Sequence, residues 1–342
     1  MRKVAILSAL AFVAACADTT KIVEPSPGVL SLSLTRTDVP GQPHVLPTRA
    51  QANELRFASS PNGTPGTIHY HGGPVLTTAT NVVAVYWSAN TIYAGGPTPG
   101  SFNTSGNSGD GSLVGLFLRN LGGSPYFNIN TTYYDLTGTH IANVVRYTGY
   151  WANNQSPVVP SGTQSVTDPQ MLDMLSYGFQ HSHLKYDATT LYAIFTKDKV
   201  NLGGGFGTTY CAYHWYGTVT IDRRGTQRTA LYAAMPDDYA YPSACSEFAS
   251  TASPNGDPHA DAVVNTLAHE TEETTTDMFG TAWWDGRGFE NADKCAWTFG
   301  SVSLTPAPAN APYNMTIGGK NFLIQRNWVN PSSGGGYCSM SY

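Results

Sequence analysis

The chain has 342 residues and a formal net charge of −5, and only 12% of its residues are Asp, Glu, Lys or Arg, about half the usual share. This balance, with no long Lys/Arg run, excludes a nucleic-acid partner, which would need a basic face. The 35 Gly, 22 Pro and 20 Tyr point to a loop-rich chain of many short strands rather than a helical bundle.

Arg2 and Lys3 precede the apolar run Val4 to Val13, which is too short to span a bilayer as a helix and reads as a signal peptide over residues 1–15. Val13-Ala14-Ala15-Cys16 resembles a bacterial lipobox, in which Cys16 would be lipidated and become the mature N-terminus. An ordinary cleaved signal peptide with an incidental cysteine is the plainer alternative. Ala17, where Asp would signal inner-membrane retention, fits outer-membrane sorting. The expectation is an exported protein, a bacterial cell-surface or outer-membrane lipoprotein (or a secreted one), touching the membrane only through its lipid anchor. Residues 16–65 are rich in Pro, Ser, Thr and Gly, cannot bury enough surface to offset their ordering entropy, and read as a flexible linker.

Residues 66–342 form the expected globular domain. Asn81 to Trp87 is β-branched and aromatic and reads as a buried strand. Gly111 to Leu121, with Asp110 as cap, predicts a helix stopped by Gly122-Gly123. Ser124 to Asp135 is Thr/Tyr-rich and predicts an extended segment. Asp168-Pro169 predicts a cap and first-turn proline for a helix over 168–182, with Leu172, Leu175 and Phe179 on one face. Leu191 to Thr196 and Thr229 to Met235 read as strands. The glycine-rich loop Gly203 to Gly207 lacks the phosphate-binding fingerprint. Asn314 to Gln325 predicts a hairpin around Gly318-Gly319.

Without Cys16, four cysteines remain, and an even number in an exported chain predicts two disulfides. They allow three pairings. The sequence-local pairs Cys211–Cys245 and Cys295–Cys338 are preferred, and no Cys-x-x-Cys spacing suggests a thiolate zinc site.

The densest chemistry lies between Asp257 and Cys295. Asp257-Pro258 starts a helix whose Val263, Val264, Leu267 and Ala268 supply an apolar side. It carries His269-Glu270-Thr271-Glu272-Glu273. His269 and Glu273, four apart, lie about 40° apart around the axis and can share one ion. Glu270 is about 100° from His269 and can act as general base, as in the zincin motif H-E-x-x-H. Glu273 stands in for the second His; a carboxylate is a competent zinc ligand, and it makes Ca²⁺ or Mn²⁺ conceivable. In an unbroken helix Asp277 is about 12 Å from His269 along the axis and joins only if the helix ends near Thr275. Glu290 is the preferred third ligand, with Asp277 and Asp293 as alternatives and His214 and His259 as outside candidates. A solvated Glu-rich face is the bland reading of the same residues. His214 beside Cys211 is an oxyanion-stabilising candidate, or a hydrogen-bonded core histidine. His69 and His71 read as an ordered loop, and His181 and His183 as residues at a helix C-terminus.

His71-Gly72-Gly73-Pro74-Val75-Leu76 leading into Asn81–Trp87, Ser124-Pro125-Tyr126, the Cys211…His214 segment and Phe322-Leu323-Ile324-Gln325…Trp328…Cys338 resemble, in their order, the phosphate-induced protein/exordium-like family over roughly residues 66–342. Plant members are extracellular, are associated with cell expansion and growth signalling, and lack the His-Glu-x-x-Glu. Microbial relatives show it, followed by Thr-Asp and then Gly-Glu-x-x-Asp-x-Cys. This chain matches at His269, Glu270, Glu273, Thr276, Asp277, Glu290, Asp293 and Cys295, with Phe289 in place of the Gly. The resemblance implies an extracellular domain with a metallohydrolase-type site.

Together these readings predict one large α+β domain, a central mixed β-sheet flanked by a few helices with a zincin-like active-site helix among them. The expected function is zinc-dependent hydrolysis of an extracellular peptide or protein, with His269, Glu273 and Glu290 as ligands and Glu270 as base. The alternative is a non-enzymatic surface protein binding cell-wall carbohydrate. A structural Ca²⁺ site of Asp277, Asp285, Glu290 and Asp293 is a third reading.

Overall fold

A computed structural model describes residues 44–57, 66–157, 164–198 and 200–342. The signal segment, Cys16 and most of the expected linker lie outside the described residues. The sheet strands are β1 (His44–Pro47), β2 (Thr80–Trp87), β3 (Phe102–Asn103), β4 (Val145–Asn153), β5 (Thr190–Thr196), β6 (Tyr210–Thr220) and β7 (Gln227–Met235). They form one seven-stranded sheet in the order β1-β6-β7-β5-β2-β4-β3. The four central strands β7, β5, β2 and β4 are parallel; β6 and β1 extend one edge antiparallel, and β3 closes the other. This is the expected α+β domain with a central mixed sheet.

Among the described residues five helices surround it: α1 (Arg49–Phe57), α2 (Leu113–Leu121), α3 (Asp168–Gln180), the single turn α4 (Pro242–Cys245) and α5 (Pro258–Thr276). Strand periodicity decides which face each side chain serves. Val82, Ala84 and Tyr86 of β2 pack with α2 and α5. Val83, Val85 and Trp87 pack with Met171, Met174, Leu175 and Phe179 of α3 on the other face. Both faces are covered, which is why the central strands read as continuous apolar runs.

Three local expectations change. Residues 44–57, inside the stretch read as a linker, form β1 and α1. Four residues are too few to show periodicity, and the strand is specified by its register on β6, with His44 opposite His214 and Val45 opposite Tyr213. The segment expected to be extended holds a 3-10 turn at Phe127–Thr132. Ser124 Oγ accepts from Phe127 N, and Tyr126, Phe127 and Ile129 are buried, so packing overrides the strand propensity of Thr and Tyr. Two caps also move. Ser112 caps α2, and Asp110 instead accepts from Ser112 and from the Tyr86 and Tyr147 hydroxyls. Thr167 caps α3 in a capping box with Gln170, which frees Asp168 to accept from Tyr213 and Tyr232.

Helix α5 begins as expected, with Asp257 accepting from Ala260 N and Pro258 in the first turn. From Ala260 to Thr276 every residue is buried. The Thr274 and Thr275 hydroxyls donate to the Glu270 and Thr271 carbonyls one turn back. Asp277, with φ −153°, ends the helix.

The disulfides are Cys211–Cys245 and Cys295–Cys338. The second closes 43 residues, a span whose loop-closure entropy is worth about 4 kcal/mol. The double variant Cys295→Ala/Cys338→Ala is expected to lose stability of that order, measured as the fall in unfolding free energy in urea.

Candidate metal centre

The last two turns of α5 face β6 and β1. His214 lies in step with Ala212, which packs on the α5 side, while Tyr213 and Trp215 point to the α3 side. His44 sits directly opposite His214 in the antiparallel pair, so its ring projects to the same face. The two imidazoles stack at 5.5 Å. Against them α5 sets His269, Glu270 and Glu273, and the segment after it adds Asp277, Glu290 and Asp293. All are buried, Asp293 less completely than the rest.

Three donor sets result, each with its ligand atoms within 4.8 Å of one another: His269, Glu273 and Asp293; His214, Glu270 and Glu273, which shares Glu273 with the first; and the separate set His44, Asp277 and Glu290. His269 Nε2 is 3.0 Å from Glu273 Oε1 and 3.6 Å from Asp293 Oδ1. Asp293 N donates to Glu273 Oε1 at 3.0 Å. Gln325 Nε2 lies 2.8 Å from His269 Nδ1, pinning the ring so that Nε2 faces the carboxylates. His214 Nδ1 is 3.1 Å from Glu270 Oε2 and 3.6 Å from Glu273 Oε2, and its Nε2 is 3.7 Å from Glu290 Oε2. His44 Nδ1 is 2.8 Å from Glu290 Oε2.

The helix ends one residue beyond Thr275, so Asp277 turns inward. It meets His44 and Glu290, while its Oδ1 accepts from Thr281 N and Ala282 N at 2.6 and 2.7 Å. The side chain grouped with His269 and Glu273 is Asp293, not Glu290, which groups with His44 and Asp277. Glu272 points away from the cluster; Asn130 and Asn327 donate to its carboxylate, and burial pushes it up to about 8. Asp285 stands apart, paired with Lys294 at 2.8 Å and Arg287 at 3.3 Å. His259 pairs with Asp237, and His71 stacks on Trp284. His181 and His183 lie beside Tyr177 and Trp151. His44 is the residue that sequence reasoning missed, because its only signal is its position opposite His214.

Burial, and after it the Glu273 and Asp293 carboxylates, hold Glu270 well above the ordinary carboxylate range. Glu290 is raised likewise by burial, then by Glu273, Asp277 and Asp293. Burial would also raise Glu273, but His269 and His214 beside it bring it below the usual value. Five carboxylates therefore meet three imidazoles. Even with all three rings protonated the cluster keeps excess negative charge, and each buried ionised carboxylate costs several kcal/mol unless paired. Glu270 Oε1 and Glu273 Oε2 are buried with no hydrogen bond. Mixed imidazole nitrogen and carboxylate oxygen, with every described cysteine in a disulfide, is a donor set that fits zinc.

No helix among the described residues is long and apolar enough to cross a membrane. No curated protein and no solved structure matches the chain. A family model described as the phosphate-induced protein 1 conserved region matches residues 123–334. That span holds α3, the sheet from β4 to β7, α5 and every residue of the cluster except His44. With more than half of its length matched, the chain belongs to the phosphate-induced protein 1 family.

Proposed function

We propose that the chain is an exported, metal-dependent hydrolase that binds zinc through His269, Glu273 and Asp293 and cleaves peptide bonds in an extracellular substrate. The observation that carries this reading is the convergence of four buried carboxylates, the partly buried Asp293 and three histidines at the end of α5. A bound divalent ion would polarise a carbonyl and make water more acidic. Glu270 takes the proton of the attacking water and passes it to the leaving amine, a role worth about 10²–10⁴-fold. His214, 3.1 Å from Glu270, has a nearer task than oxyanion stabilisation: it orients the base. Asp293, the most accessible of the cluster, marks the side from which substrate would approach. Zinc suits the nitrogen donors better than Ca²⁺, which prefers six to eight oxygens.

One observation favours a second reading. Glu270, Glu273 and His269 are fully buried, and structural metal sites are closed whereas catalytic ones keep an open position. On this reading the ion braces a non-enzymatic surface protein. A polar groove of about 460 Å³, bordered by Asn81, Asn103, Arg146, Lys185 and Asp187 near the N-terminal ends of β2, β4 and β5, would then take cell-wall carbohydrate.

The purified protein is expected to carry stoichiometric zinc by plasma mass spectrometry. Glu270→Gln should keep that zinc while kcat on a peptide library falls about 10²–10⁴-fold. Full activity in Glu270→Gln would falsify the hydrolase. A zinc-loaded protein that cleaves no peptide, with polysaccharide pull-down unchanged in His269→Ala, selects the second reading.

Both readings make the ion part of the folded state. Chelation is expected to lower the melting midpoint by on the order of 5 °C, for about 2.7 kcal/mol of ligation at hundredfold saturation. A midpoint that does not move on chelation, followed by differential scanning calorimetry, argues against ion binding.

A further inference from the structure

We propose that the chain holds a second divalent cation, between His44, Asp277 and Glu290, beside the ion assigned to His269, Glu273 and Asp293. The site stands on different side chains from the first and requires none of the peptidase chemistry.

The three donors lie within 4.8 Å of one another. Each comes from a different part of the fold: His44 from the edge strand β1, Asp277 from the residue that ends α5, and Glu290 from the segment leading into Cys295. His44 Nδ1 is 2.8 Å from Glu290 Oε2. The Asp277 and Glu290 carboxyls stand side by side in this group. Glu290 is 0% exposed, and its Oε1 meets no hydrogen-bond donor. A buried carboxylate aimed at a second carboxylate and an imidazole, with its outer oxygen unsatisfied, has the form of an ion-binding group.

Charge points the same way. Ligating imidazoles are neutral and ligating carboxylates deprotonated, so an ion at the first site answers Glu273 and Asp293 and leaves Asp277 and Glu290 as a separate carboxylate pair beside His44. A second divalent ion at that pair would offset its charge. The two positions are linked through His214, which contacts Glu273 at 3.6 Å on one side and Glu290 at 3.7 Å on the other. His44 lies outside the family match of residues 123–334. The second ion therefore fastens an N-terminal strand, only four residues long, to the part of the chain that the family model matches.

The test is zinc stoichiometry of the full chain, stripped by chelator and reloaded with zinc alone, in wild type, His44→Ala, Glu290→Gln and His269→Ala. Glu290→Gln is nearly isosteric and guards against a folding failure in His44→Ala; near-UV circular dichroism checks each fold. The expected result is two ions in wild type and one in each variant. One ion in wild type, kept in His44→Ala and Glu290→Gln but lost in His269→Ala, overturns this inference and leaves the first site standing. One ion in wild type, lost in His44→Ala and Glu290→Gln but kept in His269→Ala, supports the His44 site and removes the first. No ion in any of the four proteins overturns both.

Discussion

A helix buried on every side normally carries apolar residues all round. Helix α5 is buried from Ala260 to Thr276, yet within five residues it presents His269, Glu270, Glu272 and Glu273. The rest of the fold is arranged around that conflict. Glu272 is resolved by amides, since Asn130 and Asn327 both donate to its carboxylate. Glu270 and Glu273 are met instead by imidazoles from β6 and from α5 itself. Hydrogen bonding thus settles one flank of the helix, and on the other flank five carboxylates gather around three imidazoles.

That division shows what the two layers of the sheet are for. On the α3 side, packing is aromatic and aliphatic, with Trp87, Trp151 and Phe179 among α3's methionines. On the α5 side, small residues such as Ala84, Ala193, Ala212 and Ala233 line the sheet and let the helix approach closely. The Cys295–Cys338 bridge holds the segment that carries Glu290 and Asp293, and Gly280, with φ +66°, leaves room at the turn after α5. A Cβ there would come within 2.9 Å of His44 Nε2.

Much of this was legible in the residues themselves. The Asp257-Pro258 start of α5, the 3.6-residue spacing that sets His269 beside Glu273, and the two sequence-local disulfides all follow from local rules. The dependence of Asp277 on an early helix end was legible too, but with the helix ending at Thr276 the side chain goes to His44 and Glu290 rather than to His269. What local rules do not carry is partnership between distant segments. Asp293 and Glu290 are both carboxylates, three residues apart, and it is the fold of the segment around the turn at Asp293–Cys295 that sets Asp293 beside His269. His44 is harder still. Four residues in a Pro-rich stretch have no period, and the strand exists because β6 offers it an edge. The turn at Phe127–Thr132 escaped for the same reason, its Tyr and Phe side chains answering to neighbours far along the chain.

The end of α5 has a further consequence. Aligned peptide dipoles give a helix C-terminus roughly half a negative charge, a place that ordinarily favours Lys or Arg. Here Glu270, Glu273 and Asp277 crowd that terminus, and the Thr274 and Thr275 hydroxyls bond to carbonyls inside the helix without bringing any positive charge. The backbone therefore adds its own field to that of the side chains. A cation entering the cluster is drawn by the polarity of the whole helix, a contribution that no single side-chain substitution removes.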